Sequence, residues 1–112
     1  MKKILILAVI LSNPVFAGYA TVGKISNLYF MKNGALLFTH SGNRTHLNTD
    51  QQCVTSQPTR WAIDGSTDLG RTQISGLLMA YSMGKEITVY GIGGCLDSVH
   101  TSRETVNYFY TD

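Results

Sequence analysis

Formal charge is scarce in this chain, and what there is nearly cancels: nine Lys and Arg stand against seven Asp and Glu in 112 residues. Two of the positive charges, Lys2 and Lys3, sit at the very start, so residues 18–112 carry nine minus two, or seven, positive charges against seven negative. A neutral chain lacks the basic surface that neutralises phosphates, which argues against nucleic acid as a partner. Long apolar runs are also few. Beyond Leu11 no segment is long and apolar enough to be a transmembrane anchor. Internal repeats and low-complexity tracts are missing, which excludes solenoids and prion-like or linker architectures. Cysteine occurs only twice, at Cys53 and Cys95, too few for a structural zinc site made of thiolates.

The charged start belongs to a leader. Met1-Lys2-Lys3, the apolar run Ile4 to Leu11, and Pro14-Val15-Phe16-Ala17 follow the layout of a secretory signal peptide. Cleavage is expected after Ala17, with Ala20 as the alternative. That leaves residues 18–112 as one domain in a secreted or periplasmic protein. An oxidising compartment makes a Cys53–Cys95 disulfide the economical use of two cysteines. A closed loop of about 42 residues would be worth about 4 kcal/mol in the chain-entropy account.

The stretch Trp61 to Tyr90 organises the rest. Ile74, Leu77, Leu78 and Tyr81 fall at helical spacing, and Leu69 and Ala80 widen the stripe. Ser66 or Thr67 suits an N-cap, and Gly84 a left-handed C-terminal stop, so a helix is expected from about Asp68 to Met83. Gly70 and Gly76 within it weaken its intrinsic propensity and permit close approach of another backbone. Before it come two strands, Gly23 to Met31 and Ala35 to His40, joined at Asn33-Gly34. That pair predicts a hairpin with a type I′ turn. Ser41 to Asp50 reads as a surface loop. Gln51 to Thr55 and Thr59 to Ile63 read as a third strand interrupted at Pro58. After the helix, Glu86 to Gly91 and Glu104 to Thr111 read as strands, separated by glycines and a polar loop from Leu96 to Arg103. The order predicts an α+β, mainly β domain: an OB-fold-like, five-stranded small barrel with one helix between strands 3 and 4. A plain α+β sheet with a helix across it is the competitor.

No catalytic constellation emerges. His40 and His46 lie six apart in or beside a loop and His100 is isolated, so no metal is expected. The disulfide consumes both thiols, no GxSxG elbow is present, and Gly91-Ile92-Gly93-Gly94 opens no phosphate-binding helix. Glu86 and Glu104 read as surface carboxylates rather than a glycosidase pair. The chain is therefore expected to be no enzyme and to need no cofactor. Binding surface is what remains. The loops supply Asn43, Arg44, His46, Asn48, Asp97, Ser98, His100 and Arg103, of which Asn43, Arg44, His46 and Arg103 are the candidate binding residues. Tyr19, Tyr29, Tyr81, Tyr90, Tyr108 and Tyr110 add flat faces with a hydroxyl, suited to a sugar ring or a partner protein.

Cys53, Trp61 eight residues on, the helix with Leu77, Leu78 and Tyr81, and Gly84-Lys85 leading into Ile87-Thr88-Val89-Tyr90 together resemble the core of the B subunits of subtilase-cytotoxin and pertussis-like AB toxins. The segments RWAIDGST and TVNYFYTD are similar to those of short secreted bacterial proteins as well. The toxin likeness covers about forty residues. It implies an OB-fold, a ring homo-oligomer and binding of cell-surface glycans, with Trp61 as a core anchor. This chain is shorter, has one possible disulfide and lacks the toxins' sugar-binding serine region, so no binding residue is carried over. The expected function is a secreted, non-catalytic binding module of the toxin B-subunit kind. The alternative is a secreted or periplasmic domain that binds or inhibits another protein. In the assembly, the helix face with Gly70, Ser75 and Met79 is expected to contribute contacts.

Overall fold

The computed structural model describes residues 18–45, 53 and 57–111. The expected leader, His46, Asn48 and the extended piece at 51–55, apart from Cys53, lie outside the described residues. Among the described residues, seven strands and one full helix follow in chain order. They are β1 (Tyr19–Gly23), β2 (Ile25–Phe30), β3 (Leu36–His40), β4 (Arg44–Thr45), β5 (Arg60–Ile63), α1 (Asp68–Ser82), β6 (Ile87–Gly91) and β7 (Glu104–Thr111). The strands form one open mixed sheet in the order β2-β3-β5-β7-β6-β1-β4. Among the described strands, β5 and β7 pair parallel and the other pairs are antiparallel.

The α+β, mostly β reading holds, and the helix lies in the expected place. The closed five-stranded barrel does not. The strand expected at Gly23 to Met31 is β2, which pairs with β3, and an unexpected strand, β1, precedes it across Lys24 and pairs with β6. Arg44–Thr45 adds a short strand on the free side of β1. Five expected strands thus become seven in an open order. Lys24 alone separates β1 from β2, so the sheet must curl to bring its two regions together. Lys24 N–H donates to Ser41 Oγ at 2.8 Å, Ser41 N–H returns a bond to the Lys24 carbonyl at 3.1 Å, and His40 Nε2 lies 2.7 Å from the Ile87 carbonyl of β6.

β3 shows why its apolar run is unbroken. Leu36 and Phe38 join the main core with Trp61, Ile63, Leu77, Ile87, Val89 and Val106. Leu37 faces the other way, into a small cluster with Ala35, Ala62 and Val99. A strand covered on both faces does not alternate. The loop over that second face is pinned by Asn33, whose Nδ2 donates to the Ser98 and Val99 carbonyls at 3.1 Å. Asn33 Oδ1 also accepts from Ala35 N–H. The hairpin turn therefore differs from type I′. Gly34, at φ +92°, takes the left-handed position while Asn33 does not, and Met31 and Ala35 close a three-residue loop.

The helix begins where Thr67 caps it, accepting from Gly70 N–H at 2.9 Å, with Asp68 in the first turn beside the positive helix end. It ends in a Schellman arrangement. Lys85 N–H donates to the Ala80 carbonyl and Gly84 N–H to that of Tyr81, with Gly84 at φ +69°. Leu77 and Ala80 are buried, and Ile74 and Leu78 pack against the same core. Tyr81 and Leu69, assigned to the buried stripe, are exposed. Gly70, assigned to the outward face, is buried against the Asp64 carbonyl. The turn from β5 into α1 packs on the helix start at Gly70, so Gly70 and not Leu69 faces inward there. A disulfide joins Cys53 to Cys95, and Trp61 is fully buried.

Candidate functional site

The β6–β7 ladder shifts register between the Tyr90–Tyr108 and Gly91–Val106 pairs, so Val106 on one side of the irregularity and Phe109 on the other both pack against the core. Tyr108 and Tyr110 point outward, 48% and 44% exposed. Across the ladder Tyr108 faces Tyr90 on β6, and Tyr90 faces Tyr19 on β1. Residues directly opposite in antiparallel strands share a face, so three strands place four phenol rings side by side. Tyr90 and Tyr108 stack with centroids 4.6 Å apart and planes 12° from parallel. Tyr19 tilts against Tyr90, also at 4.6 Å, and Tyr110 lies 6.3 Å from Tyr90 on the other side. Thr45 extends the row, paired with Tyr19, and its hydroxyl is 3.5 Å from the Tyr19 carbonyl.

Crowding fixes the ionisation of the central ring. Loss of hydration, then the neighbouring Tyr19 and Tyr110, then a hydrogen bond with Tyr19, push the Tyr90 phenol up to about 12. Tyr90 therefore stays neutral at physiological pH, and the ladder offers π-faces and hydroxyls. Such a surface stacks on the apolar face of a ring and hydrogen-bonds at its rim. Beside it, Tyr110, Phe109 and Thr111 form one wall of an open groove of about 410 Å³. Gly76, Met79, Ala80 and Met83 of α1 form the other wall, with Lys85 at the end.

The four candidate binding residues do not gather at this face. Asn43 is exposed; its N–H donates to Thr21 Oγ1, and its carbonyl accepts from Thr21 N–H. His46 lies outside the described residues. Arg44 is not a loop side chain; only 2% of it is exposed. Its guanidinium lies 3.8 Å above the Trp61 ring, donates through Nε to the Pro58 carbonyl at 2.6 Å, and pairs through Nη1 with Glu104. Burial lowers the Arg44 pKa, and Glu104 raises it. Arg103 is likewise buried, its guanidinium 5.5 Å from the Tyr29 ring centre.

Glu104 corrects a second expectation, because its side chain is fully buried rather than at a surface. Oε1 accepts from Arg44, and Oε2 accepts from the N–H groups of Gly18 and Gly93, each at 2.8 Å. A Cβ on Gly18 or Gly91 would overlap this carboxylate. His40 is equally inward. It ends β3 fully buried, and that burial pulls its pKa below 6.5, opposed by its bond to the Ile87 carbonyl. His100 accepts from Ser102 N–H at 3.1 Å. The tyrosines were visible in the sequence one by one. Their assembly depended on the register of three strands, for which the Tyr108-x-Tyr110 alternation was the one local sign.

Neither protein-family models, nor curated proteins, nor solved structures yield a match to this chain.

Proposed function

We propose that this chain is a secreted, non-catalytic binding module that presents the tyrosine ladder to a carbohydrate, in the manner of the toxin B subunits that its central segment resembles. The observation that carries this reading is the row of four phenol rings on one face of β1, β6 and β7, two of them about half exposed. A pyranose ring has an apolar face that stacks on tyrosine and a rim of hydroxyls that exchanges hydrogen bonds with the phenols. The chain path supports the same family resemblance as an opened variant of the OB type. β1 to β5 precede the helix, with β2 and β3 as a hairpin and β4 as a short edge strand, two strands follow it, and β5 and β7 run parallel. The disulfide fits an oxidising, extracytoplasmic location. Among the described residues no helix is long and apolar enough to cross a membrane.

The test is a glycan array followed by calorimetry, with wild type and Tyr108→Ala. Specific glycan binding that weakens at least tenfold in Tyr108→Ala, with the far-ultraviolet circular dichroism unchanged, supports the reading. Arg44 and Arg103 are poor probes because both are buried. The groove between Met79, Met83, Phe109 and Tyr110 favours a second reading, a domain that docks on another secreted protein. A silent array together with a partner released by Met83→Glu would select it.

A further inference from the structure

From the geometry around Gly18 we infer that leader removal between Ala17 and Gly18 creates a new α-ammonium group that is a built-in ligand of the buried Glu104 carboxylate. This inference is independent of the glycan reading and rests on the leader assignment. A leader peptidase would hydrolyse the 17–18 peptide bond, water giving hydroxyl to the Ala17 carbonyl carbon and one proton to the Gly18 nitrogen, which becomes ammonium by taking the proton that the new Ala17 carboxylic acid releases. The nitrogen that receives them already has a destination.

Gly18 N is 2.8 Å from Glu104 Oε2, and the contact is buried. The Gly18 carbonyl accepts from Gly91 N–H at 2.9 Å, which holds the residue in register ahead of β1. Glu104 itself is fully buried and fixed from the other side by Arg44 at Oε1 and Gly93 N–H at Oε2. A Cβ at position 18 would overlap the ends of the Glu104 and Arg44 side chains, so any larger residue would displace the pair. A bond to a charged donor is stronger than one to a neutral amide, so processing turns an ordinary N–H into the third charge of a cluster with Arg44 and Glu104. The alternative cut after Ala20 would do the reverse. It would remove Tyr19 and Ala20, which pair with β6 and β4, and leave the Glu104 carboxylate short of one donor.

The experiment uses the full chain exported with its own leader. The mature protein is weighed intact, then labelled at pH 7 by reductive dimethylation with formaldehyde and cyanoborohydride, and labelling is read per site. A free α-amine has a pKa of about 7.7–8.0 against about 10.4 for lysine, so an unburied terminus labels before the exposed Lys24, Lys32 and Lys85. A chain that begins at Gly18, with its amine labelled at least tenfold more slowly than Lys24 when folded and faster when denatured, is the expected result. A chain that begins elsewhere, or a Gly18 amine labelled as fast as Lys24, overturns the inference. Glu104→Gln separates charge pairing from mere burial: protection should fall at least threefold, and unchanged protection counts against the pair. If that variant does not accumulate, Gly18→Ala serves instead, with loss of protection expected because its methyl group displaces the terminus.

Discussion

Without Arg44, the buried Glu104 carboxylate would lose its side-chain countercharge at Oε1 and keep only the Gly18 and Gly93 nitrogens at Oε2. Removing one member of a buried pair costs about 3–5 kcal/mol, far more than the pair itself contributes. Arg44→Leu should therefore lower the unfolding free energy by about that amount, read from the urea midpoint, and a loss under 1 kcal/mol would refute the buried-pair account. His40 gives a pH signature of definite sign. Its folded pKa lies below 6.5 because burial disfavours the charged ring, while the unfolded chain protonates near 6.5. Between those values the unfolded state binds the proton and the native state does not. The contribution of His40 is thus intact above pH 6.5 and is lost as pH falls towards the folded value. His100, lowered by burial and then by Arg103, adds to the same slope. Urea melts from pH 7 to 5 should show stability falling, and His40→Gln should flatten the curve though not abolish the slope.

The helix carries two glycines that look alike in sequence and differ in surroundings. A Cβ at Gly76 would meet only Phe109 at 3.7 Å, an ordinary contact, whereas one at Gly70 would overlap the Asp64 carbonyl. Gly76→Ala should raise the melting temperature, since alanine is better by up to about 1 kcal/mol in a helix interior. Gly70→Ala should lower it, because the β5-to-α1 turn would have to move. Equal signs for the two would refute the packing described here. The same contrast explains what was legible. Elements set by local chemistry could be read directly: the Thr67 cap, the Gly84 stop, the Asn33-Gly34 hairpin, the runs at Ile87–Gly91 and Glu104–Thr111. Elements set by distant partners could not. Arg44–Thr45 is a strand only because Tyr19 and Ala20 lie beside it, and the five residues of β1 sit next to a leader-like segment that obscured them. Arg44, Glu104 and His40 looked solvated because the partners that let a charge or an imidazole be buried are 60 and 47 residues away for Arg44–Glu104 and His40–Ile87. For the binding face, composition pointed to tyrosine, and register alone distinguished the ladder from Tyr29 and Tyr81.

At the scale of the whole molecule, the expected partner of the α1 groove is a second copy of this chain. Met79, 61% exposed, and Met83 project from the helix beside Phe109 and Tyr110, and Ser75 is exposed on the same helix, whereas Gly70 is withdrawn from this surface. Residues 18–112 carry seven charges of each sign, so no long-range repulsion opposes self-association. A contact between this groove and a different surface of a neighbour is head-to-tail, and one that closes makes a ring. It needs about 800 Å² per partner to be stable, more than the groove alone offers, so Tyr110 and the strand end beside it would have to be included. Light scattering of the processed protein at micromolar concentration should then give a multiple of a chain mass of about 10 kDa, from 12.3 kDa less the leader. Met79→Lys should lower that mass with an unchanged melting profile, because the lysine charge would be desolvated at the contact without a partner yet is harmless on an exposed helix face. A wild-type mass of one chain would end the assembly proposal, and a Met79→Lys mass equal to wild type would move the contact away from α1.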